Sequence, residues 1–111
     1  MSDVEILLRL GRVIAERRNA DPSNSYVASL FAKGPDAVMR KVAEEAAETL
    51  LASRDGDKLH IVRETADLWF HSLVLLAAHG LGPEDVLAEL RRREGTSGIS
   101  EKNSRDQQGG L

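Results

Sequence analysis

Five carboxylate side chains occupy two short stretches in the middle of the chain: Glu44, Glu45 and Glu48, followed by Glu64 and Asp67. Within each stretch, a spacing of three or four residues returns side chains to the same face of an α-helix. Clustered carboxylate oxygens are hard ligands that suit Mg²⁺ or Mn²⁺, and these ions also bind phosphate oxygens. The pattern therefore predicts a divalent-cation site for a phosphorylated substrate. A solvated acidic helix face is the alternative that the spacing leaves open.

The second acidic stretch lies beside an unusually apolar segment, LWFHSLVLLAA, at residues 68–78. A helix that is apolar nearly all round is buried on most sides. Glu64, Asp67 and His71 share one stripe of this helix. Burial removes the hydration of a carboxylate, so it must be protonated, paired or bound to a cation. Too few basic residues lie nearby to pair all the acids, which favours a bound cation.

Helical periodicity positions these acids in an all-α fold of four or five helices, and no segment shows a convincing strand pattern. The predicted helices cover residues 3–18, 26–31, 36–53 and 57–79, with one more beginning at Pro83. Gly56 lies where the first acidic helix should stop. Because the link between the two acidic helices is short, we expect them to run antiparallel with their acids facing each other.

In the helix over 36–53, an advance of about 100° per residue separates an apolar side from an acidic side. The predicted apolar side carries Met39, Val42, Ala43, Ala46 and Leu50, and the acidic side carries Lys41, Glu45 and Glu48. Asp36 is in position to cap the start of this helix.

The second acidic helix offers apolar surface in more directions than a few short helices can cover. Excess apolar surface on a small bundle favours association, so we predict a homodimer packed through helices. Trp69 and Phe70 are predicted to be core residues. Tyr26 either anchors the core or stacks or hydrogen-bonds near the substrate.

The length of 111 residues is sufficient for one hydrophobic core and too short for two. We predict a helical catalytic domain over 1–95 and a polar, partly disordered tail over 96–111. The chain has no cysteine, which excludes disulfides, zinc–thiolate sites and thiol nucleophiles. Neither a signal peptide nor a membrane span is visible, so the cytoplasm is the expected location and no membrane partner is expected.

A net charge of −3 argues against a nucleic-acid partner, which would require a basic excess. The one strong basic run is Arg91, Arg92 and Arg93. Such a run typically lies at the carboxyl end of a helix, where it offsets the negative end of the dipole. Contact with phosphate is the alternative.

Four segments resemble one known family: SYVASLFAKG at 25–34, KVAEEAAE at 41–48, ETADLWFHSLVLL at 64–76 and SGISEKNSR at 97–105. They look like the phosphoribosyl-ATP pyrophosphohydrolases, which belong to the all-α nucleoside triphosphate pyrophosphohydrolases of the MazG type. The resemblance covers about residues 5–105. The skeleton E-x2-E followed by E-x2-D is specific only to that superfamily. The Ser-Tyr stretch, His71 and the Ser-Gly-x2-Glu-Lys tail point to the histidine-biosynthesis branch.

The resemblance implies Mg²⁺-dependent hydrolysis of phosphoribosyl-ATP to phosphoribosyl-AMP and pyrophosphate, the second step of histidine biosynthesis. It implies that Glu45, Glu48, Glu64 and Asp67 bind the metal, with Mn²⁺ as a possible substitute. Glu44 is then either a further ligand or the base that orients the attacking water, and the sequence does not separate these roles. A covalent nucleophile is not required.

The resemblance also suggests substrate-binding residues: Lys33, Lys41, His71, Lys102 and Arg105. Each has a structural alternative. His71 would be a hydrogen-bonded core histidine, the lysines near helix ends would be solvated, and Lys102 and Arg105 would lie in an unstructured tail. If the tail is ordered, those two residues could close over the phosphates, from the same or the other subunit.

Two other functions remain open at this stage. A housecleaning pyrophosphohydrolase acting on non-standard nucleoside triphosphates or dUTP would use the same acids. A helical interaction module would carry the acids as a solvated or partner-binding face and catalyse nothing. Many members of the resembled family are fused to a cyclohydrolase, and the length leads us to expect a stand-alone hydrolase.

Overall fold

The computed structural model describes residues 2–95 and 98–109, and the regular elements within those ranges are all α-helices. In chain order the helices are α1 (Asp3–Arg17), α2 (Tyr26–Ala32), α3 (Pro35–Asp55), α4 (Lys58–Ala78), α5 (Pro83–Arg93) and α6 (Gly98–Gly109). The predicted all-α fold is confirmed. Across these ranges no helix is both long enough and apolar enough to cross a membrane.

Helix α6 lies in the segment that the sequence assigns to a polar tail, and periodicity does not predict it. Its sequence, GISEKNSRDQQG, contains a single large apolar residue, Ile99, which is exposed. A helix without an apolar stripe gives no periodic signal in the sequence. Of the tail predicted over 96–111 to be partly disordered, residues 98–109 form α6, and residues 96–97 and 110–111 lie outside the described ranges.

Short-range chemistry explains where the helices that position the acids begin and end. Helix α3 starts at Pro35, whose fixed φ suits the first helical position, and Gly34 precedes it with a φ of 96°. The predicted cap is therefore wrong, because Asp36 already lies inside the first turn. Gly56 ends α3 with a φ of 78°, and the side chain of Asp57 then caps α4.

The hydrophobic core joins the first four helices. Its buried residues are Ile14, Val27, Leu30, Val38, Leu73, Val74 and Ala77. Helices α3 and α4 pack against each other most extensively, and α1 lies against α4 and α5. Because only two residues link α3 to α4, the pair is the antiparallel hairpin that the sequence predicts.

The outward and inward sides of α3 differ from those predicted. Val38, Glu45 and Ala52 are buried, whereas Leu50 is 71% exposed. Buried residues recur every seven positions, so Glu45 lies on the same inward stripe as two core residues. On the predicted apolar side, Met39, Ala43 and Leu50 are exposed, and only Val42 and Ala46 are half-buried.

One of the aromatic predictions is wrong. Trp69 is 58% exposed and is not a core residue, whereas Phe70 packs against the core as predicted. Tyr26 is 50% exposed, with its ring stacked on Phe70 at a centroid distance of 6.3 Å. It therefore lies at the edge of the core, where its hydroxyl group can reach polar partners.

Candidate metal centre

The α3–α4 hairpin brings three carboxylates together. One side-chain oxygen from each of Glu45, Glu48 and Glu64 lies within 4.8 Å of the corresponding oxygens of the other two. Glu45 is buried, Glu64 is partly buried and Glu48 is exposed. Three of the four predicted metal ligands therefore converge at one place, which is closed on the side of Glu45 and open to solvent on the side of Glu48.

Two oxygens in this group have no compensating contact. Oε2 of Glu45 and Oε2 of Glu64 are buried and have no hydrogen-bond partner among the described residues. A buried charged oxygen without a partner loses several kcal/mol of hydration. A divalent cation would supply the missing charge, and oxygen donors suit Mg²⁺ or Mn²⁺. The residues present therefore fit a hard divalent cation.

The other oxygen of Glu45 is held by Lys41. The ammonium group of Lys41 lies 3.2 Å from Oε1 of Glu45 and 3.6 Å from Oε2 of Glu44. Its hydrogen bond to the Glu45 carboxylate raises the pKa of Lys41 above its usual value, and burial opposes this only in part. Lys41 thus remains charged beside the acids. Glu44 is half-exposed and lies outside the group of three.

Asp67 does not join the three glutamates in this structure. Its side chain is exposed, and it is not part of the converging group. An aspartate side chain is one methylene shorter than that of glutamate, so from the same helix face it reaches less far. Its role as a fourth ligand remains a prediction.

His71 lies one turn after Asp67 and is 5% exposed. Its Nδ1 is 2.8 Å from the backbone oxygen of Asp67, and its Nε2 is 2.8 Å from the hydroxyl group of Tyr26. A carbonyl oxygen only accepts hydrogen bonds, so Nδ1 carries the hydrogen. Nε2 of the neutral ring then accepts a hydrogen bond from Tyr26. The structure thus places His71 as a hydrogen-bonded core residue whose partner reaches the surface.

The remaining predicted substrate-binding residues are dispersed. Lys41 contacts the acids directly. Lys33 follows the last residue of α2 and is exposed. Lys102 and Arg105 are exposed on α6.

Sequence reasoning missed His60, which contacts the acidic group. Nε2 of His60 lies 3.2 Å from Oε1 of Glu64. A signal was available, since His60 precedes Glu64 by four residues, just as Lys41 precedes Glu45 by four.

The fold and the site together define the class to which this protein belongs. It is an all-helical protein in which a hairpin of two long helices carries a carboxylate site suited to a divalent cation and, through the cation, to phosphate oxygens.

Comparison with known proteins identifies the family. The sequence model of the phosphoribosyl-ATP pyrophosphohydrolase family matches residues 7–94. A phosphoribosyl-ATP pyrophosphatase from Azoarcus sp. is 63% identical over 105 residues, which cover 95% of this chain and 98% of that protein. The proteins of the same name from Chromobacterium violaceum and Methylococcus capsulatus are 63% and 53% identical, over 91% and 92% of this chain and 94% and 97% of their own lengths. The chain belongs to the phosphoribosyl-ATP pyrophosphohydrolase family, which confirms the predicted resemblance and the predicted class of enzyme, a hydrolase.

Proposed function

We propose that this protein hydrolyses phosphoribosyl-ATP to phosphoribosyl-AMP and pyrophosphate, the second step of histidine biosynthesis. Relatives that match nearly the full length of the chain are named for this activity. The structural observation that carries the proposal is the pair of buried oxygens without partners, one on Glu45 and one on Glu64, beside the exposed carboxylate of Glu48. A site with this charge attracts a cation, and the cation in turn attracts a polyphosphate.

Glu45, Glu48 and Glu64 would hold Mg²⁺, or Mn²⁺ in its place, and Asp67 is proposed as an additional ligand. When bound, the cation would neutralise phosphate oxygens and make a water molecule more acidic. Glu48 is at the open side of the group, so this side would face the phosphates. Glu44 is proposed to orient the attacking water, because it is half-exposed and shares its contact with Lys41 with Glu45.

Cationic and aromatic side chains would complete substrate binding. Lys41 stays charged beside the acids and is proposed to contact a phosphate oxygen. His71 is proposed to act through Tyr26, because it is buried and the hydroxyl group of Tyr26 is its link to the surface. Lys33, Lys102 and Arg105 are further candidates for phosphate contact, and all three are exposed.

The decisive experiment measures pyrophosphate release from phosphoribosyl-ATP with and without Mg²⁺. Glu48→Gln keeps the shape of the side chain and removes its charge, so we expect activity to fall by more than about 100-fold, since outer-shell partners alone are worth about 10–100-fold. In EDTA the same variant should unfold at the wild-type temperature or higher, because repulsion among three carboxylates is relieved. Glu16→Gln, an exposed glutamate on α1, is the control.

The outcome also separates the two alternative functions. Strong preference for free nucleoside triphosphates over phosphoribosyl-ATP would indicate a housecleaning enzyme that uses the same acids. Full activity of Glu48→Gln would contradict the catalytic role of the cluster. Absence of any Mg²⁺-dependent turnover, on either kind of substrate, would favour the non-catalytic interaction module.

We further propose that two copies of the chain associate, and that the protein acts in the cytoplasm on a small molecule without a nucleic-acid or membrane partner. The net charge of −3 supports the absence of a nucleic-acid partner. An exposed apolar stripe on α4 supports association. Its residues are Leu59, Val62, Ala66 and Trp69.

A further inference from the structure

Each helix of the hairpin holds one glutamate of the acidic group in the same way. On α3, Lys41 contacts Oε1 of Glu45 from one turn earlier in the helix, at 3.2 Å. On α4, His60 contacts Oε1 of Glu64 from one turn earlier, also at 3.2 Å. In both cases the second oxygen, Oε2, is buried and without a hydrogen-bond partner in the described part of the chain. Each glutamate thus has one oxygen restrained and the other available.

The position of His60 is itself well determined. It lies in the first turn of α4, and its backbone N–H donates to Oδ1 of the capping residue Asp57 at 3.2 Å. Because this cap fixes the backbone of His60, it limits where the imidazole ring can lie relative to Glu64. Because a carboxylate oxygen only accepts hydrogen bonds, the 3.2 Å approach of Nε2 to Oε1 of Glu64 is favourable when Nε2 carries a hydrogen. This requirement is met by the neutral ring as well as by the charged one.

We propose that His60 is a positioning residue for the metal centre: by restraining Oε1 of Glu64, it leaves the buried Oε2 available to bind the cation beside Glu45 and Glu48. This inference rests on the proposed function, since it concerns the ligands of the proposed cation. A free glutamate side chain has three rotatable bonds, and restraining it before the ion arrives removes part of the entropy cost of binding. His60 contacts Glu64, one of the proposed cation ligands, so its effect should be on cation affinity.

The test compares Mn²⁺ binding by the metal-free wild-type protein and three variants, with free Mn²⁺ measured by electron paramagnetic resonance. His60→Ala should weaken the apparent Mn²⁺ affinity by about tenfold or more, the usual effect of losing a partner behind a metal ligand. His60→Gln should restore most of the affinity, because its side-chain N–H can occupy the position of Nε2–H. His79→Ala, an exposed histidine at the other end of α4, should bind as the wild type does.

A second pair of measurements separates positioning from general stability. The temperature of unfolding in EDTA should be unchanged in His60→Ala, because the ring is half-exposed and the backbone cap remains. In the pyrophosphate assay, the Mg²⁺ concentration for half-maximal rate should rise about tenfold, while the rate at saturating Mg²⁺ stays close to that of the wild type.

Two failures can be told apart. Wild-type affinity for Mn²⁺ in His60→Ala would overturn the role of His60 and leave the metal centre intact. A wild-type protein that binds no Mn²⁺ would overturn the proposed metal centre, and the role of His60 with it.

Discussion

At the scale of single residues, the proposed metal centre depends on how far each carboxylate is removed from water. Glu45 is 5% exposed, yet it lies on a helix whose neighbouring acids are in solvent. Its contact with Lys41 offsets part of the cost of burial. The remaining cost falls on Oε2, and this is the atom that a cation would satisfy. Burial therefore makes Glu45 a stronger candidate ligand than its charge alone would.

The pairing of Lys41 with Glu45 predicts a pH-dependent contribution to stability. In EDTA, Lys41→Met should destabilise the protein by about 1 kcal/mol, a value well below that of a fully buried pair because Lys41 is partly exposed. The pKa of Lys41 is raised in the folded state, so the folded protein holds this proton more tightly than the unfolded chain. The stabilisation should be complete below the ordinary pKa of 10.5 and be lost as the pH rises through the higher, folded-state value.

Urea unfolding of the wild type and of Lys41→Met between pH 7 and pH 11 would measure the contribution of the ion pair to stability. The difference in free energy of unfolding between the two proteins should be constant near neutral pH and should become smaller toward pH 11. Lys58→Met, at an exposed lysine in the first turn of α4, is the control and should show no such pattern. A gap that does not change with pH would contradict the ion pair.

Residue spacing could predict Glu45, Glu48 and Glu64, because both acidic stretches repeat with the period of a helix. It could not exclude Asp67 from the group, since spacing assigns a side chain to a helix face without giving its reach or its depth. Spacing places His60 one turn before Glu64, but it could not establish the contact, because an exposed histidine in a first helical turn has many solvated counterparts. Depth and reach depend on how α3 and α4 pack, which is a tertiary property.

At the scale of elements, α1 and α5 touch at a place that only glycine permits. A Cβ atom added to Gly11 would lie 2.4 Å from Cδ of Pro83, at the start of α5. Alanine favours a helix interior over glycine by about 1 kcal/mol. Overpacking against a rigid ring costs about 1–3 kcal/mol. We expect the clash to dominate, so Gly11→Ala should lower the unfolding temperature.

Calorimetry of Gly11→Ala and of Gly98→Ala tests this prediction. At Gly98 the added Cβ meets nothing within 4 Å, so that variant should unfold at or above the wild-type temperature. A stabilised Gly11→Ala variant would show that α5 can move away from α1 at little cost.

Helix α5 also carries an ion-pair network that should stabilise it in a pH-dependent way. Hydrogen bonds from Arg92 and then Arg93 lower the pKa of Glu89 from 4.5 to about 2. A lowered pKa stabilises the folded state above the ordinary value, and the effect is lost as the pH falls from 4.5 toward 2. Glu89→Gln should therefore reduce the unfolding temperature slightly at pH 7 and hardly at all near pH 2. Because these groups are exposed, 1 M salt should remove most of the difference at pH 7.

Element boundaries followed closely from sequence because their causes are local. Pro35 and Pro83 each start a helix and Gly56 ends one, and backbone geometry sets these preferences whatever the surrounding fold. The inward side of α3 was predicted wrongly because it depends on tertiary packing and not on local causes. Counting apolar residues favours the side with Leu50, whereas packing against α4 selects the stripe with Glu45. A buried acid such as Glu45, at a candidate binding site, departs from the apolar-inside rule on which amphipathic patterns depend.

At the scale of the whole molecule, apolar surface remains on the outer faces of the hairpin. Leu59, Val62 and Trp69 on α4 are more than half exposed, and Leu50 on α3 is 71% exposed. Isolated apolar residues on a surface are ordinary, but a stripe along one helix indicates an interface. This arrangement supports the proposed homodimer, since an interface would cover Trp69 and Leu50, whose exposure the sequence did not predict.

A charge placed in this stripe should separate the two copies. Val62→Glu introduces a carboxylate on the exposed apolar stripe of α4, and burying it unpaired would cost several kcal/mol, enough to weaken a micromolar dimer severely. Sedimentation velocity at micromolar concentration should show a wild-type dimer and a Val62→Glu monomer. Ile6→Glu, an equally drastic change at an exposed residue of α1, should remain dimeric. A monomeric wild-type protein would rule out the homodimer, and a dimeric Val62→Glu would place the interface on another face.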